Sequence, residues 1–177
     1  MMVLDRGKDC AMEQKQAIEQ RISRRSFLQT PIEQQILRQL LEAIEEVNET
    51  SGLTVSYLED GSDAFAGFKS YGMFDGVRAM LVLKGNRELA FLKEKVGYYG
   101  EQLILKATEL GLGSCWIQGR LREAADGKST EQYLRDLLGF PAHCRLEAIL
   151  SLGVPQEQKE AYSIDSLLTE KIHREKY

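Results

Sequence analysis

Residues 103–119 read Leu-Ile-Leu-Lys-Ala-Thr-Glu-Leu-Gly-Leu-Gly-Ser-Cys-Trp-Ile-Gln-Gly. The first half of this stretch predicts the end of a long helix over 88–111 that is apolar on more than one side. Such a helix lies either at the centre of a domain or at a subunit interface. Gly111-Leu112-Gly113 ends the helix, and the apolar run 114–117 predicts a short strand directly after it.

Helices and strands are mixed along the rest of the chain. Thr30 is predicted to cap an amphipathic helix that begins at Pro31 and ends at Ser51-Gly52. The other helices are predicted over 12–22, 131–138 and 165–173, and the other strands over 53–58, 77–83 and 144–152. This mixture indicates an α+β or α/β class.

Length and charge limit the classes of function. The 177 residues correspond to one domain, predicted over 12–177, and residues 1–11 are expected to be a disordered leader because the helical pattern begins only near Met12. The net charge of −4 argues against a general nucleic-acid-binding surface. The charge is uneven, because residues 1–30 contain six Lys or Arg against four Asp or Glu.

The cysteines and the apolar runs bear on location. The three cysteines are odd in number and have no CxxC spacing, which fits reduced thiols in the cytoplasm better than disulfides or a zinc site. No run reaches the roughly 20 apolar residues that a membrane-spanning helix requires, so no membrane association is expected. The two histidines lie far apart, and His143-Cys144 is interpreted as strand packing, so no metal site is predicted.

Arg21-Ile22-Ser23-Arg24-Arg25 is the first candidate for chemistry. Arginine forks bind phosphate oxygens in pairs, and the serine hydroxyl adds another donor. The alternative is a solvated basic turn whose arginines pair with nearby acids such as Glu19.

Gly111 to Gly119 is the second candidate. Its glycines allow a strand backbone to touch a flat ligand, and the alternative is a helix end followed by a core strand. Gly97 and Gly100 lie on one face of the long helix and would permit close backbone approach. Beside them, Glu101 is either part of a solvated helix face or a buried carboxylate near a ligand. Cys115 is expected to be an inert buried thiol.

No side-chain catalyst is evident, because HExxH, GxSxG and Walker-loop patterns are all absent from the sequence. No catalytic residue is therefore assigned. If the protein is an enzyme, a cofactor is expected to supply the reactivity.

Three motifs in this order resemble the nitroreductase family of flavoproteins. Arg21, Ser23, Arg25, Phe27 and Pro31 match the family's R-x-S-x-R-x-F segment and the proline that follows it. The stretches that match the family's G-L-G-S/T-x-W and L-G-Y-P motifs are 111–116 and 152–155. The resemblance spans about residues 12–173.

The resemblance implies an α+β fold, with a central mixed or antiparallel sheet flanked by helices, and an intertwined homodimer with FMN at its interface. It also implies electron transfer from NAD(P)H through flavin N5 to a nitroaromatic, quinone or similar acceptor in a ping-pong cycle. By position, the FMN phosphate would be held by Arg21, Ile22, Ser23, Arg24 and Arg25. Likewise by position, the flavin ring would be lined by Trp116, Ile117 and Gln118.

The sequence also departs from the family. Only Asn48 matches the family's P-S-x-x-N-x-Q-P-W segment, and Phe68 to Gly72 are the candidates to line the substrate pocket instead. The family's C-terminal phosphate arginine aligns near Asp165, which is acidic. These departures leave room for an FMN-binding protein without turnover, for a flavin enzyme of different chemistry such as reductive dehalogenation or ferredoxin-fed reduction, and for a helical interaction protein without a cofactor.

Overall fold

The structure is a computed structural model that describes residues 14–63, 74–117 and 130–156. The expected leader, the candidate pocket segment Phe68 to Gly72 and the predicted helix over 165–173 lie outside these ranges. Within them the chain forms four helices and four strands. In chain order these are α1 (Gln14–Gln20), α2 (Gln34–Ser51), β1 (Ser56–Leu58), β2 (Ala79–Asn86), α3 (Leu92–Glu109), β3 (Gly113–Ile117), α4 (Thr130–Leu138) and β4 (Cys144–Gly153).

The four strands form one sheet in the order β1-β2-β4-β3, and every neighbouring pair is antiparallel. The pairing of β2 with β4 places Leu81 opposite Leu150 at the centre of the sheet. Seven of the eight residues of β2 are buried, because helices cover both faces of the sheet. Leu81 belongs to the core shared with α2 and α3, whereas Val82 belongs to the core shared with α4. The predicted α+β class and antiparallel sheet are confirmed.

Helix α3 lies at the centre of the domain. It packs against α1 and α2 on one side and against the sheet on the other. The consecutive residues Leu103, Ile104 and Leu105 are all buried within one chain. A central position therefore explains why the second half of this helix is apolar on several sides.

Two predicted element boundaries are wrong. Helix α2 begins at Gln34, and its N-cap is Glu33, which makes no side-chain capping hydrogen bond, so Thr30 is not the cap. Residues 30–33 instead lead away from a segment that is hydrogen-bonded to the sheet edge, and Ile32 is buried along this path. In the strand predicted over 53–58, only β1 pairs continuously with β2, because Leu53 makes an isolated bridge to Gly85.

Lys84 connects β2 to the chain before β1. The residue is 3% exposed, and its Nζ donates hydrogen bonds to the Thr54 carbonyl at 2.7 Å and to the Ser56 hydroxyl. The Nζ also lies 5.6 Å from the centroid of the Phe140 ring. Burial disfavours the charged ammonium and lowers the pKa of Lys84 below its ordinary value of 10.5.

Lys84→Met is expected to flatten the alkaline part of the stability profile. Between the lowered pKa of folded Lys84 and its unfolded pKa, the unfolded chain binds more protons, so the free energy of unfolding rises with pH in the wild-type protein. Methionine removes that rise. Urea unfolding between about pH 8 and pH 10 measures the effect, with Lys93→Met as the control at an exposed position. Equal slopes for Lys84→Met and wild type would contradict this assignment.

Candidate functional site

The arginine-rich segment lies beside the edge strand β3. Ser23 forms a parallel bridge with Ser114, and the Arg24 amide donates a hydrogen bond of 2.8 Å to the Ser114 carbonyl. The structure therefore brings the first two sequence motifs together. Residues 21–25 extend the sheet beyond β3.

Close packing orients this segment. A Cβ atom on Gly113 would lie 2.9 Å from both Cβ and Cγ of Arg24, so only glycine leaves room for the Arg24 side chain against β3. Ser23 and Arg25 are exposed on either side of the half-buried Arg24. The hydroxyl of Ser23 and the guanidinium of Arg25 are thus accessible to a ligand from solvent.

Phe27 anchors the other end of the segment on the third motif. Its side chain is 3% exposed, and its ring lies over Gly153, where a Cβ atom would come within 2.9 Å of Cδ1. The Phe27 amide donates to the Asp75 carbonyl at 3.0 Å, and the next amide donates to the Val154 carbonyl at 2.9 Å. The segment is held at both ends by residues that are distant in sequence.

Glu101 connects the segment to the aromatic residue of β3. Its Oε1 lies 3.0 Å from Arg21 Nε, and its Oε2 accepts a hydrogen bond of 3.0 Å from Trp116 Nε1. The side chains of Arg21 and Glu101 are 29% and 40% exposed. Neither sequence interpretation of Glu101 anticipated this bridging position, and no local pattern links residues so far apart.

Gly100 allows the indole of Trp116 to lie against α3. A Cβ atom at Gly100 would collide with Cη2 of Trp116. Gly97 has no comparable role, because a Cβ atom there would meet nothing within 4 Å among the described residues. The predicted close approach is confirmed at Gly100 and wrong at Gly97.

The remaining candidate residues fall into three groups. Ile117 is half-buried next to Trp116, whereas Gln118 lies outside the described residues. Asn48 is turned away from the site, because its Nδ2 donates to the Val55 carbonyl at 3.0 Å and its Oδ1 accepts from the Val55 amide at 2.6 Å. Cys115 is buried, as predicted for an inert thiol.

The chemistry of the assembled site is that of anion binding beside an aromatic wall. Three arginines and one carboxylate give a local excess of positive charge, in contrast to the acidic chain as a whole. In the described ranges no cluster of three or more His, Cys, Asp or Glu residues is arranged to hold a metal ion. None of the helices in those ranges is long and apolar enough to cross a bilayer.

Comparison with known proteins gives consistent matches. The chain matches a protein-family model described as "Putative TM nitroreductase" over residues 13–174. It is 36% identical over 78 residues to a "Putative NADH dehydrogenase/NAD(P)H nitroreductase" of Archaeoglobus fulgidus. That match covers 44% of this chain and only 42% of the relative.

Solved structures show the same fold. An FMN-dependent nitroreductase from Clostridium difficile R20291 superposes with a TM-score of 0.69 at 24% identity, covering 91% of this chain and 98% of the other. A nitroreductase with bound FMN from Desulfitobacterium hafniense DCB-2 superposes with a TM-score of 0.65 at 18% identity, covering 93% of this chain and 100% of the other.

Proposed function

The chain belongs to the nitroreductase family, and from this premise we propose that it is an FMN-dependent oxidoreductase. The proposed electron donor is NAD(P)H, and the acceptor is a nitroaromatic, a quinone or a similar small molecule. The observation that carries the proposal is the position of Glu101, which holds a phosphate-binding type of side chain, Arg21, and an aromatic wall, Trp116, on one carboxylate.

The residues at the site fit FMN. A phosphate dianion requires several charged or hydroxyl donors, and Arg21, Ser23 and Arg25 lie on one short segment with side chains at least partly exposed. A flavin ring requires a flat apolar surface, which Trp116 and Ile117 provide at half-buried positions next to that segment. The half-buried Ile22 and Arg24 complete the proposed phosphate segment through their backbone.

The division of labour in this proposal follows from the residues present. Bound FMN would supply hydride acceptance at N5 and electron transfer to the second substrate, which is the chemistry of a ping-pong cycle. The protein would fix the phosphate with its arginines and shield one side of the ring with Trp116. No residue is assigned as an acid or base, because solvent can supply the protons.

We propose a cytoplasmic homodimer of single-domain subunits, each with its domain over 12–177. Phe91 and Tyr98 support the dimer, because they lie seven residues apart at α3 and are 73% and 65% exposed, which is unusual for large apolar side chains. The cytoplasmic location is supported by Cys115 and Cys144, which are both buried free thiols.

Anaerobic mixing tests the proposed activity. The purified protein is loaded with FMN and mixed with NADH or NADPH in the absence of oxygen, and the visible absorbance of the flavin is followed. The expected result is rapid bleaching by at least one nicotinamide, followed by recovery of the absorbance when a nitroaromatic or quinone is added. Binding of FMN without bleaching would overturn the enzyme proposal and favour a flavin-binding protein.

The same experiment distinguishes a change of electron donor from the absence of a cofactor. Bleaching only by an artificial reductant or a reduced ferredoxin would indicate a flavin enzyme that does not use a nicotinamide. Protein that remains colourless after incubation with FMN would favour an interaction protein without a cofactor.

A further inference from the structure

The carboxylate of Glu101 uses each of its two oxygens for a different motif. Oε1 pairs with Arg21 of the basic segment at 3.0 Å, and Oε2 accepts from the indole N–H of Trp116 at 3.0 Å. Glu101 belongs to α3, the most central helix of the domain, so its backbone is fixed by the core. The two long side chains are therefore referenced to a rigid element.

The ion pair leaves Arg21 able to bind a ligand. Glu101 approaches Arg21 through Nε, and a guanidinium carries further N–H donors on Nη1 and Nη2. Holding the Nε edge removes rotamer freedom from a long side chain before a ligand arrives, which lowers the entropic cost of binding.

The indole is fixed in a similar way. Tryptophan has a single N–H donor, and at Trp116 this donor is used by Glu101. Because the ring also lies against Gly100, contacts at two points of the indole restrict its rotation about the side-chain bonds.

We propose that Glu101 is a positioning residue that aligns Arg21 for the phosphate and Trp116 for the ring of one bound flavin. This inference rests on the proposed function, because it names the residue that couples the two halves of the FMN site. Glu101 acts through its two partners, and no contact between Glu101 and the flavin is required.

An opposite role is chemically conceivable and gives the opposite result. A carboxylate near the phosphate could compete for Arg21 and repel the ligand, in which case its neutralisation would tighten FMN binding. The choice between the two roles is therefore made by the sign of a measured change in affinity.

The experiment compares Glu101→Gln with Glu109→Gln. Glu109 lies on the same helix and is also ion-paired, with Lys106 at 3.4 Å, but it contacts neither Arg21 nor Trp116. Dissociation constants are measured for FMN and for riboflavin, which lacks the phosphate. Glu101→Gln is expected to weaken FMN binding roughly fivefold to twentyfold and riboflavin binding clearly less, whereas Glu109→Gln leaves both within about twofold.

A double variant tests whether Glu101 acts through Arg21. In the Arg21→Ala background, the further change Glu101→Gln is expected to alter FMN affinity by less than about threefold, because the partner that it aligns is gone. Full additivity of the two substitutions would overturn the proposed coupling.

Trp116 provides a readout that needs no flavin. It is the one tryptophan of the chain, so intrinsic tryptophan emission reports on this residue alone. In flavin-free protein, Glu101→Gln is expected to shift the emission and to increase quenching by acrylamide, and Glu109→Gln is expected to change neither. Unchanged emission would overturn the alignment of Trp116.

The outcomes separate the role of Glu101 from the proposed function. If wild-type protein binds FMN but Glu101→Gln binds it equally well or more tightly, the positioning role is wrong and the proposed function stands. If Glu101→Gln weakens FMN and riboflavin equally, its effect is general and the positioning role is also wrong. If wild-type protein does not bind FMN, the proposed function fails and the role of Glu101 in that site fails with it.

Discussion

Arg21→Ala is expected to weaken FMN binding by about 1.5–3 kcal/mol, which corresponds to roughly tenfold to 150-fold in the dissociation constant. The substitution removes a charge-assisted donor from the proposed phosphate site. It also leaves the Glu101 carboxylate without its ion-pair partner, so an uncompensated negative charge remains close to the phosphate. The second effect acts in the same direction and favours the upper part of the range.

Titration with FMN and with riboflavin measures this effect. Arg38→Ala is the matched control, because Arg38 is an exposed arginine on α2 and should leave both affinities unchanged. The loss on Arg21→Ala should be large for FMN and small for riboflavin, since riboflavin has no phosphate. An unchanged affinity for FMN would show that Arg21 does not bind the phosphate.

Phe27→Ala is expected to lower the free energy of unfolding by about 3–5 kcal/mol, the usual range for removing a buried phenylalanine. Phe27 is 3% exposed, its ring lies over Gly153, and its backbone bridges to Pro155. The truncation opens a cavity at the point where the basic segment is anchored. We therefore expect FMN affinity to fall as well, because the segment that carries the arginines is less well fixed.

Urea unfolding followed by circular dichroism measures the loss of stability. Phe91→Ala is the control, because Phe91 is 73% exposed and its truncation should cost little. If Phe27→Ala unfolds at the same urea concentration as wild type, the anchoring role of Phe27 is wrong.

Local patterns are sufficient to predict the elements that depend on neighbouring residues. The apolar spacing along α2 and α3 is set by the period of a helix, and both helices occur close to where this spacing predicts them. The α+β class follows from the same patterns. The family resemblance adds the antiparallel sheet, which the pairing of β2 with β4 confirms.

Features that depend on distant contacts are not predictable from local patterns. Thr30 and Pro31 form a good helix start in isolation, but the chain leaves the Phe27 anchor there and the helix begins only at Gln34. Asn48 suggests a flavin contact by its position in a family motif, whereas its amide closes the backbone at Val55.

The site itself shows the same division. The residue types of the basic segment predict an anion site, and the glycines before Trp116 predict a close backbone approach. The bridge made by Glu101 requires the fold, because packing of α1 against α3 brings Arg21 and Glu101 together.

The central claim is that FMN binds where the basic segment meets Trp116. The most direct test is titration of wild-type, flavin-free protein with FMN while the emission of Trp116, the one tryptophan of the chain, is followed. Free tryptophan amide serves as the control for absorption of light by the flavin. The account predicts strong, saturable quenching with one FMN per chain. Saturable FMN binding that leaves the Trp116 emission unchanged, or no binding at all, would contradict it.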